Sequence, residues 1–463
     1  MKKFFLFSFL LLAAGYANAN NILVSNATLS NQNTAAHNIK ANFDITWDNS
    51  WRTSTNENNY DGAWIFIKFR KNGTSDWRHA TIDGSSFTPA TGAVITVSAD
   101  NKGVFLYRNA DGIGNVSFTA NQLQWNYSAD GVLDNETVEI RVFAVEMVKI
   151  PMGSFLLGSG GSETGGFQNG TSGAPYLVAD NNAITVGTAA GNLNTGAYGV
   201  AGTIPATFPK GFASFWAMKY ECSQQQYVDF LNHIDQARAT ANNTPGIFSG
   251  THPNLLAPQP ERAVGTINTA RVAAFADWSG LRPMTELEYE KACRGYNTPA
   301  VPNEYAWGNT TFVGLTSVNN AGLTNETVNT PPTANANMAN SYGVPVRTGL
   351  FARTSGSDRQ LSGATYYGMM NMSDNVYEIT IFSGSVQGRA VDASVHGDGN
   401  LAANGDTDIS AWTNKNAYGA RGSSYGGGIA EGRVSERSLS NYTIGYGFDP
   451  ALATYGFRLV RTQ

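Results

Sequence analysis

β-Branched and aromatic residues recur in short runs through the first 145 residues of the chain. The runs that we predict to be strands cover residues 42–47, 64–69, 93–97, 104–107, 115–119, 123–127 and 138–145. Turn signals such as Lys71-Asn72-Gly73 separate them, a combination typical of antiparallel strands. Residues 64–69 are apolar on both faces, which places that strand centrally. The spacing of these strands predicts an immunoglobulin-like β-sandwich over residues 20–145.

Helical spacing begins in the second part of the chain. Apolar residues recur three and four positions apart after Ser223, which forms a capping-box pattern with Gln226. Residues 268–278 predict a second amphipathic helix, and Thr285 with Glu288 predicts the start of a third. Short helices among strands indicate a mixed α+β domain.

Two long stretches of this second part are poor in apolar residues. Residues 158–202 are rich in Gly, and residues 310–358 are rich in Asn, Thr and Pro, so we predict both to be surface loops. The Gly-rich stretch has no Lys-Ser/Thr ending and no following helix, which excludes a phosphate-binding loop. The second unit, residues 146–463, is therefore predicted to be rich in loops.

Composition narrows the class of protein. A length of 463 residues exceeds one ordinary core and suggests two or three domains. Only 14% of the residues are charged, whereas Gly occurs 50 times, which suits a loop-rich extracellular β protein. The net charge of -5 gives no reason to expect a nucleic acid or an anionic membrane as partner.

The N-terminus carries the pattern of a signal peptide. Lys2 and Lys3 precede an apolar run over residues 4–14, and Ala17-Asn18-Ala19 forms a cleavage site. The run is too short for a retained membrane anchor, and no other long apolar run follows. We therefore expect residues 1–19 to be removed and the protein to reach the periplasm, the outer cell surface or the medium, without a membrane span.

The chain has two cysteines, Cys222 and Cys293. An oxidising compartment permits a disulfide between them. However, Cys222 ends a predicted strand and Cys293 lies in a predicted helix, where free cysteines are commonly buried. Both possibilities stay open at this point.

A polar turn at residues 371–378 has the ligand types that calcium prefers. Asn371 and Glu378 offer side-chain oxygens, and the turn between them can direct the backbone carbonyls of Asp374 and Val376 at the same point. We predict a structural calcium ion here. An Asx-type turn before a strand would use the same residues.

A second candidate cation loop covers residues 398–408. Asp398, Asn404, Asp406 and Asp408 alternate with Gly, as side-chain oxygens do in calcium-binding turns. The loop lacks the terminal Glu and flanking helices of an EF-hand. A solvated Asp/Asn turn is the alternative.

Several motifs resemble those of one family, the formylglycine-generating enzymes or sulfatase-modifying factors. The turn at 371–378 resembles its N-x-x-G-N-x-x-E segment, with Asp374 in place of Gly and Tyr377 in place of Trp. The other matching segments are Arg282-Pro283-Met284-Thr285-Glu286-Leu287-Glu288-Tyr289-Glu290, Tyr305-Ala306-Trp307-Gly308-Asn309, Arg421-Gly422-Ser423-Ser424-Tyr425, Arg433-Val434-Ser435-Glu436-Arg437 and Gly456-Phe457-Arg458. The resemblance implies a C-type-lectin-like fold over residues 146–463. The glutamates and arginines of these motifs are expected to cap helices and to build buried networks, with Glu436 among them.

The resemblance also indicates which chemistry is missing. The formylglycine-generating enzymes need two copper-binding cysteines between the motifs that begin at Arg421 and Arg433, yet residues 426–432 contain no cysteine. The iron-dependent branch of the superfamily needs a set of histidines, and the five in this chain have no H-x-x-x-H spacing. We therefore expect no copper or iron, no catalytic residues and no enzymatic cofactor.

These observations favour an exported, non-catalytic binding or assembly protein. Its binding face is predicted at Ser423, Ser424, Tyr425 and Glu431, with a glycan, a protein or a neighbouring subunit as partner. Composition and export signal resemble those of Bacteroidetes surface proteins, whose gliding and type 9 secretion components use this fold. Two alternatives remain: an oxidoreductase-like enzyme with an unrecognised centre, and a diversified C-type-lectin-like receptor.

Overall fold

The computed structural model describes residues 21–296, 298–352, 358–447 and 449–462, so the predicted signal peptide lies outside the described residues. The first strands are β1 (Leu23–Asn33), β2 (Asn38–Arg52), β3 (Asp61–Lys71), β4 (Arg78–His79), β5 (Ile82–Thr88), β6 (Ala93–Val97), β7 (Val104–Arg108), β8 (Gly112–Trp125) and β9 (Val138–Ile150).

Helices enter after these strands. The next elements are β10 (Phe155–Leu157), β11 (Gln168–Asn169), β12 (Tyr176–Val178), β13 (Ile184–Val186), β14 (Leu193–Asn194), β15 (Gly202–Ile204), β16 (Phe215–Met218), α1 (Gln224–Asn232), α2 (Gln236–Asn242), β17 (Ser249–Thr251), β18 (Asn254–Leu256), α3 (Thr269–Ser279), β19 (Arg282–Pro283) and α4 (Glu286–Arg294). The last elements are β20 (Ser317–Asn319), β21 (Thr327–Thr330), α5 (Arg359–Ser362), β22 (Tyr377–Ile381), β23 (Tyr418–Arg421), α6 (Tyr442–Tyr446), β24 (Tyr455–Gly456) and β25 (Leu459–Thr462). The chain is mainly β with few helices.

Two sheets face each other in the N-terminal part. One has the strand order β1-β2-β8-β5, and the other contains β9-β3-β7-β6. Alternate residues of β2, such as Phe43 and Trp47, point inward and meet Ile65 and Ile67 of β3 and Leu123 of β8. This period of two is what a half-buried strand requires.

Strand β3 is buried on both faces from Asp61 to Phe69, which confirms its predicted central position. Its second face packs on the C-terminal part of the chain. The indole N–H of Trp64 donates to the Ser279 carbonyl at 2.8 Å, and the Phe66 ring meets the Trp278 ring edge-on at 5.2 Å. Residues from both parts thus share one core.

Strand β9 connects the two predicted units. Its residues from Val138 to Val148 pair with β3, and those from Met147 to Ile150 pair with β16. Strands β25 and β19 extend the same sheet beyond β16. The predicted boundary between residues 145 and 146 therefore falls inside a strand of a continuous sheet.

The predicted helix starts are confirmed. Ser223 accepts a hydrogen bond from the Gln226 N–H at 3.2 Å and donates its own N–H to the Gln226 side chain. Thr285 and Glu288 form the same reciprocal pair at α4. Each capping box satisfies two backbone N–H groups that the first turn of a helix leaves open.

The prediction of one long surface loop over residues 158–202 is wrong in part. The stretch contains β11, β12, β13 and β14, and its scattered apolar residues are buried: Phe167, Val178, Ile184, Val186 and Leu193. Each strand has only two or three residues, which is too short to produce a periodic pattern.

Buried ion pairs hold the motif segments together, as predicted for their arginines. The pairs are Arg282–Glu288, Arg294–Glu304, Arg421–Glu290, Arg437–Glu286 and Arg458–Glu378. Glu436 has a different role. Its carboxylate accepts hydrogen bonds from the backbone N–H groups of Thr164 and Ser438. Within the described ranges, no helix is both long enough and apolar enough to cross a membrane.

Candidate functional site

The turn before β22 carries the predicted calcium ligands. Asn371 has a left-handed backbone, with φ of 59°, and its Oδ1 accepts the Gly349 N–H at 2.8 Å. Its amide nitrogen donates to the Asp374 carboxylate at 3.2 Å. Glu378 is fully buried, and its Oε1 accepts a hydrogen bond from Arg458 Nε at 2.5 Å. The Asn371 oxygen therefore already accepts one hydrogen bond from the protein.

Three buried carboxyl groups surround this turn, and sequence analysis missed one of them, Glu221. Its oxygens accept hydrogen bonds from Asn375 Nδ2 at 2.6 Å and from the Val376 N–H at 3.0 Å. Burial raises the pKa of Asp374 to about 7. Burial also raises the pKa of Glu378, and burial with the charge of Glu378 raises the pKa of Glu221. The turn thus concentrates acidic groups away from water.

The acidic groups exceed the cations that neutralise them. In the described part of the chain, Arg458 is the one cation paired with these three carboxyl groups, and Glu378 Oε2 has no hydrogen-bond partner. Protons or a bound cation must balance this excess. Glu378 Oε2 is a carboxylate oxygen without a hydrogen-bond partner, which is the type of ligand that a hard cation such as calcium prefers.

The loop at residues 398–408 brings together only part of the predicted cation set. Asp398 and Asp408 lie close to Asp277. One carboxylate oxygen from each of the three residues lies within 4.8 Å of the other two. Asn404 and Asp406 instead bond to each other at 2.6 Å on the exposed side of the loop. Asn404 and Asp406 were therefore incorrectly grouped with the other two. Sequence analysis missed Asp277 because it belongs to α3, more than a hundred positions earlier in the chain.

The acidic group of Asp277, Asp398 and Asp408 already has hydrogen-bond donors and a buried lysine beside it. The Asp277 carboxylate accepts the Thr407 hydroxyl at 2.6 Å and the backbone N–H of Asp398 at 3.1 Å. Burial raises the pKa of Asp277 to about 7, and burial lowers that of the neighbouring Lys68 to about 7. Lys68 Nζ donates to the Gly399 carbonyl at 3.3 Å. When Lys68 is protonated, its charge opposes the binding of a metal cation beside it.

The predicted binding face is only partly at the surface. Ser423 and Ser424 are fully buried, and the Ser423 hydroxyl donates to the Gly428 carbonyl at 2.9 Å. Glu431 is half-buried and accepts hydrogen bonds from the Gly428 N–H and the Tyr377 hydroxyl. Both serines are therefore unavailable to a partner, because they follow β23 into the interior.

Tyr425, by contrast, lines a cavity of about 320 Å³. The walls come from seven separate segments of the chain, among them the following four. Gln224 begins α1, Thr266 precedes α3, Pro345 lies between β21 and α5, and Ala453 precedes β24. The tight approach at one wall needs a glycine, since a Cβ on Gly265 would lie 2.3 Å from the Ala453 carbonyl oxygen.

Three side chains of this cavity make no hydrogen bonds to protein. Among the described residues, none pairs with the side-chain amide of Gln224 or with the hydroxyls of Thr266 and Tyr425. Gln224 is only 6% exposed, whereas Thr266 and Tyr425 are half-buried. Thr266 also has a left-handed backbone, with φ of 58°. Unpaired polar groups and a rare backbone conformation are features that cluster at binding sites.

Sequence analysis identified Tyr425 but missed Gln224 and Thr266. The capping box at Ser223 did fix the position of Gln224 as the first residue of a helix. It could not reveal what that residue faces, because the cavity forms only when seven separate segments meet.

Both cysteines lie in the described part of the chain, and both are free and buried. Cys222 packs in the core with Tyr227, whereas Cys293 belongs to a separate cluster with Met372. Burial raises the pKa of both thiols. The open question of a disulfide is thus resolved in favour of two free thiols.

Comparison with known proteins identifies a family for most of this chain. The sulfatase-modifying factor enzyme 1-like domain matches residues 139–463, which is 325 of the 463 residues. The match begins one residue after the start of β9 and includes the turn at 371–378, the loop at 398–408 and the Tyr425 cavity. No curated protein matches the chain.

Proposed function

This chain belongs to the family of the sulfatase-modifying factor enzyme 1-like domain, and we propose that it is an exported, non-catalytic binding or assembly protein built on that scaffold. The partner would be a protein or a glycan at the cell surface, or a further copy of the chain. The N-terminal sheets would form an immunoglobulin-like sandwich that presents this scaffold. A role in secretion or gliding assemblies of Bacteroidetes is consistent with the export signal.

The Tyr425 cavity carries the proposal. Binding pockets are concave and have a few polar groups that converge on the ligand. Gln224, Thr266 and Tyr425 meet this description, since their hydrogen-bonding groups are left open by the fold. A ligand in the cavity would give these three groups hydrogen-bond partners.

The burial of the two thiols supports the proposal that the protein is not a copper-dependent enzyme. A copper centre needs accessible thiolates, and burial keeps Cys222 and Cys293 protonated in two separate clusters. Glu431 lies in the interval that holds the metal-binding cysteines of the enzymes. It is tied there to Gly428 and Tyr377.

Binding can be tested with the mature protein, residues 20–463, on arrays of glycans and of peptides. We expect saturable binding that falls at least ten-fold in Tyr425→Ala. Leu133→Ala changes a surface residue on the N-terminal part and serves as the control. Equal binding by wild type and Tyr425→Ala would contradict the proposed site. Stoichiometric copper or iron in the purified protein would contradict the non-catalytic assignment.

A structural calcium ion at the 371–378 turn is a separate part of the proposal. It would be held by Asn371 Oδ1, by Glu378 Oε2 and by carbonyl oxygens of the turn, including those of Asp374 and Val376. Calcium bound only by the folded state must raise the melting temperature. Glu378→Gln keeps an acceptor for Arg458 but removes the charge, so it should abolish the increase. Asp406→Asn is the matched control. Identical melting of wild type with calcium and with chelator would contradict the calcium site.

A further inference from the structure

We propose that the Tyr425 cavity binds a neutral sugar residue of a glycan. The inference rests on the binding role proposed above and adds the chemical class of the ligand. It follows from three properties of the cavity, which are its charge, its hydrogen-bonding groups and its size.

Among the described residues, no Asp, Glu, Lys, Arg or His lines the cavity. Two guanidinium groups contact lining residues from behind, and both are already engaged. Arg262 donates to Gln259 Oε1 at 3.2 Å and pairs with Glu326, and Arg271 donates to the backbone carbonyls of Thr266 and Asn243, each at 2.8 Å. A charged ligand would lose its hydration there without gaining an opposite charge. The cavity therefore selects for an uncharged molecule.

The open polar groups both donate and accept hydrogen bonds. The amide of Gln224 offers two N–H donors and one acceptor, and the hydroxyls of Thr266 and Tyr425 each act in both directions. Gln259 adds an N–H donor, because its oxygen is already used by Arg262. A ligand that satisfies this set needs several groups that also donate and accept. The hydroxyl groups of a sugar have this property.

The size and the apolar surface agree with one sugar ring. A volume of about 320 Å³ corresponds to roughly ten water molecules, which suits a ring with its substituents rather than a folded partner. Ile247, Pro345 and the Tyr425 ring supply apolar surface beside the polar groups. A sugar ring carries C–H groups as well as hydroxyls, so it can use both kinds of wall.

The test compares ligand classes and two neighbouring glutamines. Glucose, galactose, mannose and N-acetylglucosamine, with their short oligomers, are titrated by calorimetry into residues 20–463. Glucuronic acid, glucosamine and uncharged peptides of similar size provide the comparison. We expect at least one neutral sugar series to bind at least ten-fold more tightly than the charged sugars and the peptides.

Gln224→Leu keeps the shape of the side chain and removes its hydrogen bonds. It should weaken sugar binding at least ten-fold. Gln225→Leu makes the same change one position away, on an exposed side chain that pairs with Asp229, and should bind as wild type does. Ala453→Trp places a large ring at the cavity wall. It should block sugar binding even if the hydrogen bonds of the Gln224 amide contribute little to the affinity. Melting temperatures within a few degrees of wild type would establish that the variants are folded.

The outcomes separate this inference from the broader binding role. Binding of peptides or charged sugars alone, with sensitivity to Ala453→Trp, would overturn the sugar inference and leave the binding role intact. Sugar binding that is unchanged in both Gln224→Leu and Ala453→Trp would overturn the assignment to this cavity. No binding from any class on the arrays or in calorimetry would overturn both.

Discussion

At the scale of single residues, one lysine connects the two parts of the chain. Lys219 Nζ lies 3.1 Å from Asp61 Oδ2 and 3.1 Å from Glu146 Oε2, and all three side chains are buried. One ammonium group cannot neutralise two carboxylates. Burial therefore raises the pKa of Glu146 to about 7 despite the ion pair, while the surrounding acids hold the pKa of Lys219 well above its usual range.

Glu146 should make stability depend on pH. Its folded pKa of about 7 exceeds the ordinary value of 4.5, so the folded state binds more protons between these values. The free energy of unfolding then falls as pH rises from about 4.5 to 7, by up to about 3 kcal/mol. Glu146→Gln removes this loss, which urea denaturation at pH 5 and pH 8 would measure.

The control for this prediction is Glu139→Gln. Glu139 lies on the same strand, but it is only half-buried and pairs with Arg70 at the surface. We expect its pH profile to follow that of wild type. A Glu146→Gln protein with the pH dependence of wild type would show that another group carries the effect.

Sequence predicted residue roles where the chemistry is local. The capping residues Ser223 and Thr285 were identified because the motif spans only four positions. Tyr425 was found through a family motif. The roles of Glu221 and Asp277 were missed because each depends on residues more than a hundred positions away. Contacts between residues so far apart cannot be predicted from the spacing of residues in a single sequence.

At the scale of elements, β9 is the strand on which both parts of the chain depend. It pairs with β3 over Val138 to Val148 and with β16 over Met147 to Ile150. The face of β3 that carries Trp64 and Phe66 is covered by the C-terminal part. The sheet that contains β3, β9 and β16 is completed only by strands from both units, and the second face of β3 is covered only by the C-terminal part.

A cut at the predicted boundary should therefore prevent folding. Residues 146–463 alone would lose β3 and most of β9, and residues 20–145 alone would expose Trp64 and Phe66. We expect both fragments to aggregate or to bind a hydrophobic dye, while residues 20–463 give one cooperative unfolding transition. Circular dichroism and size-exclusion chromatography would measure this. A folded, monomeric fragment 146–463 would contradict the prediction.

Elements with an apolar pattern or a capping box were predicted, and the strands of two or three residues were not. Strands β2 and β3 and the helices α1 and α3 were expected from their apolar patterns, and α4 was expected from its capping box. The strands of residues 158–202 were not, because each pairs over two or three residues. Their position depends on burial of single side chains such as Phe167 and Leu193 against a core built elsewhere.

At the scale of the whole molecule, the two thiols report on the integrity of the fold. Cys222 and Cys293 are buried in separate clusters, and burial raises the pKa of both. In the native protein we expect no reaction with a thiol reagent over minutes at pH 8. In denaturant without reductant, both should react. One or no reactive thiol in denaturant would contradict the free state of the cysteines.

The continuous sheet also limits how this protein can change in evolution. Side chains alternate between the two faces of a strand, so one inserted or deleted residue in β9 would turn all later positions to the wrong face. Here that single event would disturb the pairing with β3 and with β16 at once. A change in the length of β9 would therefore disturb the N-terminal sheet and the family domain at the same time, unless a β-bulge absorbed it.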